Sequence, residues 1–313
     1  ARDRAHARAH THLSLAGTLP HVPRPEHPFG HHANAGTDSN TVTASYVQNL
    51  GGHGARLQSG AEFNTISKST MVSNLVAFAG LYLLDGDNNT VTGSAMKNLV
   101  GNAAYLDTGS DYNTITLSTV TSAVLGYSVV NSSSNRLFSS YIQASTAAYI
   151  SGSTGTWIGG TILVSTNTSG NALQLDKGSV GLTLSSSTLR APSAGIGLYL
   201  DRSNSGLIVI STNIFQPGAR TGLYIATQTA GTLIWVTSNT ISVSTGTSAT
   251  YGIRAVGLLS GATIQNNGIY YRTVGGMAGA NTYGFYAQTS AGIKFDRNRI
   301  NNPGMIRGTG SVY

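Results

Sequence analysis

The sequence predicts an all-β chain: a single rod of about 10–11 stacked coils, with three short parallel strands in each coil. Three observations lead there. A phrase with an acid, a spacer, an Asn, a Thr and an aliphatic residue recurs as "DSNTVT" at 38–43, "EFNTIS" at 62–67, "DNNTVT" at 87–92 and "DYNTIT" at 111–116. Between the copies, Val, Ile, Leu and Tyr come in short runs separated by Gly, Ser, Thr and Asn, the texture of short strands and tight turns. Three such runs within 22–26 residues cannot bury an apolar face alone. They can if each unit is one turn laid on the next, with strands about 4.8 Å apart.

Each element of a unit has its own reason. The opening strand ("NTVTGS", "GLTLSS", "GTLIWVTS") alternates aliphatic and hydroxyl residues, so Val91 points into the coil while Thr90 and Thr92 point out. The Asn before it marks a bend. Asn40, Asn64, Asn89, Asn113 and Asn135 recur at steps of 24, 25, 24 and 22 residues, which lets their amides bond from coil to coil as a ladder. Gly155, Gly181, Gly206, Gly231, Gly261 and Gly292 continue the slot, since Asn and Gly both tolerate the left-handed backbone of a sharp bend. A middle segment comes next ("TNIF", "SNTI", "NNGI", "RNRI"), then a closing strand ("GARLQSG", "GLYLLDG", "AAYLDTG", "GLYLDRS"). The last two units run to 30 and 31 residues, which predicts loops in "STGTSAT" and "VGGMAGAN".

With these coil phrases, "NTI", "SNTI" and "NNGI" among them, the chain resembles the right-handed parallel β-helix of the pectate-lyase-like superfamily. The resemblance spans residues 38–300 and implies the fold. It leaves activity open, because the same coils serve lyases, hydrolases, epimerases, tailspikes, adhesins and stalks. The implied rod is about 50 Å long. "GGHGARL" at 51–57 is similar to the Gly-His-Gly of polygalacturonases, but the Asn-x-Asp, Asp-Asp and Arg-x-Lys motifs of that family are missing. His53 is therefore read as part of a closing strand. The pectate-lyase arrangement of a Ca2+-binding Asp cluster beside an Arg is missing too, so Arg136, Arg190, Arg254 and Arg272 are read as isolated surface cations.

Composition bounds the rest. Residues 1–37 hold seven of the eight His, four of the seven Pro and four Arg, and share no pattern with residues 38–313. They read as a leader, linker or cloning-derived segment, with the β-helix over 38–313. The remainder carries 14 basic and 9 acidic side chains, scattered without a Lys/Arg run or interleaved aromatics, which excludes a nucleic-acid footprint. No apolar stretch approaches the roughly 18 residues of a membrane span. With no Cys, disulfides and thiolate metal sites are excluded. The final "GMIRGTGSVY" offers no capping helix, which leaves strand edges open to end-to-end or homo-oligomeric association.

Eight of the nine acids after residue 37 fall in the turn between closing and opening strands. Asp38, Glu62, Asp87 and Asp111 take the slot two before the Asn, and Asp85, Asp107, Asp176 and Asp201 lie at the start of the same turn. Three readings compete. The acids cap turn N–H groups, or Glu62, Asp87 and Asp111 hold a Ca2+ ion, or Asp85, Asp87, Asp107 and Asp111 supply the carboxyl pair of a glycosidase. Asp176-Lys177 and Asp201-Arg202 read as turn ion pairs, with Arg202 also available to a substrate. Tyr82, Tyr105, Tyr149, Tyr199, Tyr224 and Tyr286 fall in closing strands. Alternation points Tyr82, Tyr199 and Tyr224 outward, where a Tyr ladder gives sugar rings a surface.

The functional expectation is a secreted or cell-surface, polysaccharide-active β-helix, similar to a glycoside hydrolase, that needs no cofactor beyond an optional Ca2+. The alternative is a non-catalytic adhesin or stalk. A third reading, ice binding, draws on the hydroxyl pairs at 41/43, 65/67, 90/92 and 114/116.

Overall fold

The computed structural model describes residues 31–33, 37–192, 194–216, 218, 220–245, 249–257, 261–273, 282–289 and 292–301. Among them every regular element is a strand, and the strands form three parallel sheets of eleven strands each. We call them the opening sheet (Thr41–Thr43 through Ile293–Asp296), the middle sheet (Tyr46–Asn49 through Arg299–Asn301) and the closing sheet (His31–Ala33, Ala55–Gln58 and Ala79–Leu84 through Thr282–Gln288). Every third strand pairs with the next, so the chain is a parallel β-helix. The recurring phrases stack in register, with Thr41 on Thr65, Thr65 on Thr90 and Thr90 on Thr114.

The core arises from alternation along each strand. Val91 is buried between half-buried Thr90 and Thr92, and Ile115 lies on it in the next coil. The closing sheet sends Leu83, Leu106, Val129, Ile150, Leu175, Leu200 and Ile225 inward as one column. In a second column Tyr127 is fully buried between Ala104 and Ala148, a large side chain fitted between two small ones. Beside that column runs a row of small residues where the closing sheet meets the middle one. At Gly222, a Cβ would collide with Ile241 Cγ2 and lie 2.8 Å from the Gly252 carbonyl. Those contacts explain the small residue in "GLY" and "AAY".

Two polar ladders hold the bends. At the first bend the backbone N–H of Asn40 donates to Asn64 Oδ1 at 2.9 Å, and the series continues from Asn64 to Asn89 (2.8 Å), to Asn113 (2.8 Å) and to Asn135 (2.9 Å). The ladder is as expected, but its continuation differs. Arg136 pairs with Trp157, so Asn135 stands opposite Thr156, not Gly155. The left-handed residue is the one before the Asn, seen at Ser39, Phe63, Asn88, Tyr112 and Ser134, and Gly155 belongs to that position.

A second ladder runs along the opening-to-middle bend, from Ser45 through Ser69, Ser94, Ser118, Ser140, Thr161 and Ser187 to Asn213, Asn239, Asn267 and Asn298. Each member comes after a residue with positive φ, from Ala44 to Arg297. The Asn series thus moves from one bend to the other halfway along the rod.

The strand His31–Ala33 lies within 1–37, and its residues pair with Ala55–Leu57, so coil pairing begins before residue 38. Residues 246–248 of "STGTSAT", residues 274–281 covering "VGGMAGAN", the Arg272 side chain and "GMIRGTGSVY" lie outside the described residues.

Candidate functional site

The acids of the turn do not form one edge; they separate into two sets. Asp38, Asp87 and Asp111 belong to the bend. Asp38 Oδ1 accepts the Glu62 N–H at 2.9 Å, Asp87 Oδ1 that of Asp111 at 2.7 Å, and Asp111 Oδ1 that of Ser133 at 2.6 Å. Each of these carboxylates bridges to the backbone of the next coil, which is the capping reading. Burial, with the Asp111 and Asp85 charges, pushes Asp87 above the ordinary carboxylate range, against the Asp111 N–H that works the other way. Asp85 is exposed at a left-handed turn position, φ 54°. Among the described residues, no three His, Cys, Asp or Glu side chains, Glu62, Asp87 and Asp111 included, converge as metal ligands.

Asp107 parts from that group. It ends the strand Asn102–Asp107, and its Oδ2 accepts the Tyr82 hydroxyl at 3.0 Å on the outward face of the closing sheet. Register places Arg56, Tyr82, Tyr105, Ser128, Tyr149, Gln174, Tyr199, Tyr224, Arg254 and Tyr286 in one outward row. The six Tyr of the row are half-buried, Tyr82, Tyr105, Tyr149, Tyr199 and Tyr224 between more deeply buried neighbours and Tyr286 in register with Arg254, so Tyr105, Tyr149 and Tyr286 face out with the other three.

A row of strand ends lies alongside, and here the acids recur. Asp176 and Asp201 come directly after the paired residues Leu175 and Leu200 on adjacent coils. Tyr149 donates to Asp176 Oδ2 at 2.5 Å, Tyr199 donates to Asp201 Oδ1 at 3.0 Å, and the Arg202 N–H donates to Asp201 Oδ1 at 2.8 Å. Partial burial works to raise Asp176. The Tyr149 hydroxyl, the Lys177 N–H and charge, and the neighbouring Asp201 outweigh it and hold Asp176 below the ordinary range. Burial first, then the bonded carboxylate, pushes Tyr82 and Tyr199 up to about 12. The ion pairs expected in Asp176-Lys177 and Asp201-Arg202 are not formed. Among the described residues the ion pair within 4 Å is Asp296–Arg297, at 3.7 Å.

The Tyr rings are not an open platform for sugars. Tyr199 and Tyr224 stack on each other with centroids 5.2 Å apart, and the Arg254 guanidinium covers Tyr224 at 5.0 Å. His53 lies flat on Tyr82 at 4.3 Å and accepts the Ala79 N–H through Nδ1 at 3.0 Å. The row therefore offers ring edges, hydroxyls and carboxylates, groups that hydrogen-bond to a polyhydroxylated ligand. Arg202 is exposed at the rim. On the opening sheet the Thr array ends after four coils, where Arg136 and Phe138 stack on Thr114 and Thr116, and Trp157 on Arg136.

In the sequence the basic residue after each acid masks the Asp176–Asp201 pair, because it suggests a turn ion pair. The signal that finds the pair is register: a Tyr at i−2 in "LYLD" and a 25-residue spacing from "LQLD".

No protein-family model and no curated protein sequence matches the chain. Solved structures match in shape. DFA-IIIase from Arthrobacter chlorophenolicus A6 without its lid, in complex with GF2, is 11% identical with a TM-score of 0.55, over 82% of this chain and 72% of that one. The C387A mutant of the same enzyme is 11% identical with a TM-score of 0.51, over 86% and 75%. Pectate lyase Pel9A is 12% identical with a TM-score of 0.49, over 83% and 69%. The chain shares the parallel β-helix fold with DFA-IIIase.

Proposed function

We propose that the chain binds a polysaccharide along the outward face of the closing sheet and hydrolyses a glycosidic bond at Asp176 and Asp201. The observation behind this reading is the pair itself: two carboxyls at corresponding strand ends on adjacent coils, each held by a Tyr hydroxyl. Glycoside hydrolysis needs one carboxyl that gives a proton and one that is ionised. Carboxyls on adjacent coils disfavour each other's ionisation, so such a pair can supply both states.

In this reading Asp176, the member held low, is the carboxylate that attacks, and Asp201 takes the role of acid. Adjacent coils stand about 4.8 Å apart, which suits the roughly 5–5.5 Å carboxyl separation of double displacement. A sugar binds with its glycosidic bond between the two carboxyls. Asp176 then attacks the anomeric carbon while Asp201 protonates the departing glycosidic oxygen. Asp201 next takes a proton from the water that releases the sugar, with net retention of configuration. Tyr149 holds Asp176 in its attacking position through the bond to Oδ2. A secreted or cell-surface location fits a substrate of this kind.

The test is release of reducing ends from a polysaccharide panel. Asp176→Asn and Asp201→Asn are expected to lose about 10²–10⁴ of the wild-type rate, while Asp87→Asn and Asp111→Asn stay near wild type. Equal rates in all four variants would remove the pair from the mechanism. Binding without products would make the chain a polysaccharide-holding module.

A further inference from the structure

Resting on that reading, we infer that Arg254 is an anion site in the same groove, and that the glycan it selects carries a carboxylate two coils from the cleavage pair. Arg254 lies in the outward row directly after Tyr224. Its guanidinium is caged by three phenol rings, 4.9 Å from Tyr251, 5.0 Å from Tyr224 and 6.0 Å from Tyr286. The cage fixes the group without satisfying it. Nε is buried with no hydrogen-bond partner, and among the described residues no carboxylate comes within 4 Å of the guanidinium.

Ring faces attract a cation but accept no N–H in its plane. A guanidinium keeps its charge throughout, and its planar fork matches a carboxylate in two parallel hydrogen bonds. Placement selects the ligand further. Asp201 comes after the strand Ile196–Leu200, and Arg254 lies two strands on, in Thr250–Val256, about 10 Å along the rod. The middle of the face holds the carboxyl pair, with Asp176 ionised in this reading, so a carboxylate-bearing glycan is repelled there and held at Arg254.

The test is calorimetric binding to the Asp201→Asn protein, which holds glycan without turnover. The probes are linear oligomers of galacturonate, glucuronate and mannuronate, each beside its carboxyl-reduced counterpart. We expect at least one acidic oligomer to bind about ten- to a hundredfold tighter than its reduced form, the scale of a hydrogen bond to a charged group. Adding Arg254→Gln should abolish that preference and leave the reduced oligomer's affinity unchanged. Arg254→Lys, which keeps the charge and most of the stem, should keep only part of it. Acidic and reduced forms binding alike, or a preference that survives Arg254→Gln, would overturn the anion site while leaving polysaccharide binding intact. Binding of neither form would overturn both.

Discussion

Replacing Asn89 by Ala puts the stacking of coils under direct strain. Asn89 is 2% exposed. Its Oδ1 accepts the Asn64 N–H at 2.8 Å and the Asn64 Nδ2 at 3.1 Å, and its own Nδ2 donates to the Ala61 carbonyl at 2.9 Å. The substitution strips three buried groups of their partner. Each stranded group costs about 1–3 kcal/mol, and because they share one site the losses are not additive. A total of about 3–5 kcal/mol is expected. Ser94→Ala on the other ladder removes one acceptor from the Ser69 N–H and one donor to the Thr92 carbonyl, for about 1–3 kcal/mol. Urea unfolding followed by circular dichroism reads the loss as a lower midpoint. Each coil touches only its neighbours, so hydrogen exchange should quicken first at the Asn64 amide. A loss below about 1 kcal/mol, or an Asn64 amide that exchanges at the wild-type rate, would refute the idea that the ladder holds the bends.

Tyr149→Phe removes the hydroxyl that donates to Asp176 and so raises that carboxyl. The acidic limb of the pH–rate profile should move to higher pH, read from initial rates across roughly pH 3–8. Asp87→Asn keeps an oxygen for the Asp111 N–H and removes a carboxyl whose folded-state value is raised. A raised carboxyl binds its proton more tightly when folded, so wild-type stability falls as pH climbs from about 3.9 to the folded value. The variant should show a flatter pH dependence there and be no less stable at about pH 7, by thermal unfolding. Gly222→Ala sets a Cβ against Ile241 and the Gly252 carbonyl, and should cost about 1–3 kcal/mol by overpacking. Gly261→Ala, whose Cβ would meet only the Gly292 carbonyl at 3.4 Å, is the control.

The fold is legible in the sequence because one unit is written many times. "NTVT", "NTIS" and "NTIT" fix the bend, the inward residue and the period together, and register then comes from counting. The second ladder is not legible. Ser45, Ser69 and Ser94 sit in a sequence full of Ser, and only the left-handed residue before each one distinguishes it, a backbone property that no side chain announces at Ala44 or Lys68. The Gly slot falls one residue away from the ladder, because Gly155 serves the left-handed position and Thr156 stands opposite Asn135. The acids mislead for a related reason. Asp87 and Asp111 lie on neighbouring coils, but their oxygens are spent on N–H groups of the next coil. Asp176 and Asp201 have the sequence of turn ion pairs, and only the sheet places a Tyr hydroxyl on each.

A polysaccharide lying on the closing sheet across Asp176 and Asp201 is the feature on which the proposed chemistry depends. A crystal structure of the Asp201→Asn protein soaked with an oligosaccharide tests it most directly. The sugar is expected along the outward row from Tyr149 to Arg254, with a glycosidic oxygen beside residue 201. A sugar chain found on the bend at Asp87 and Asp111, or on the opening sheet at Trp157 and Trp235, would contradict it.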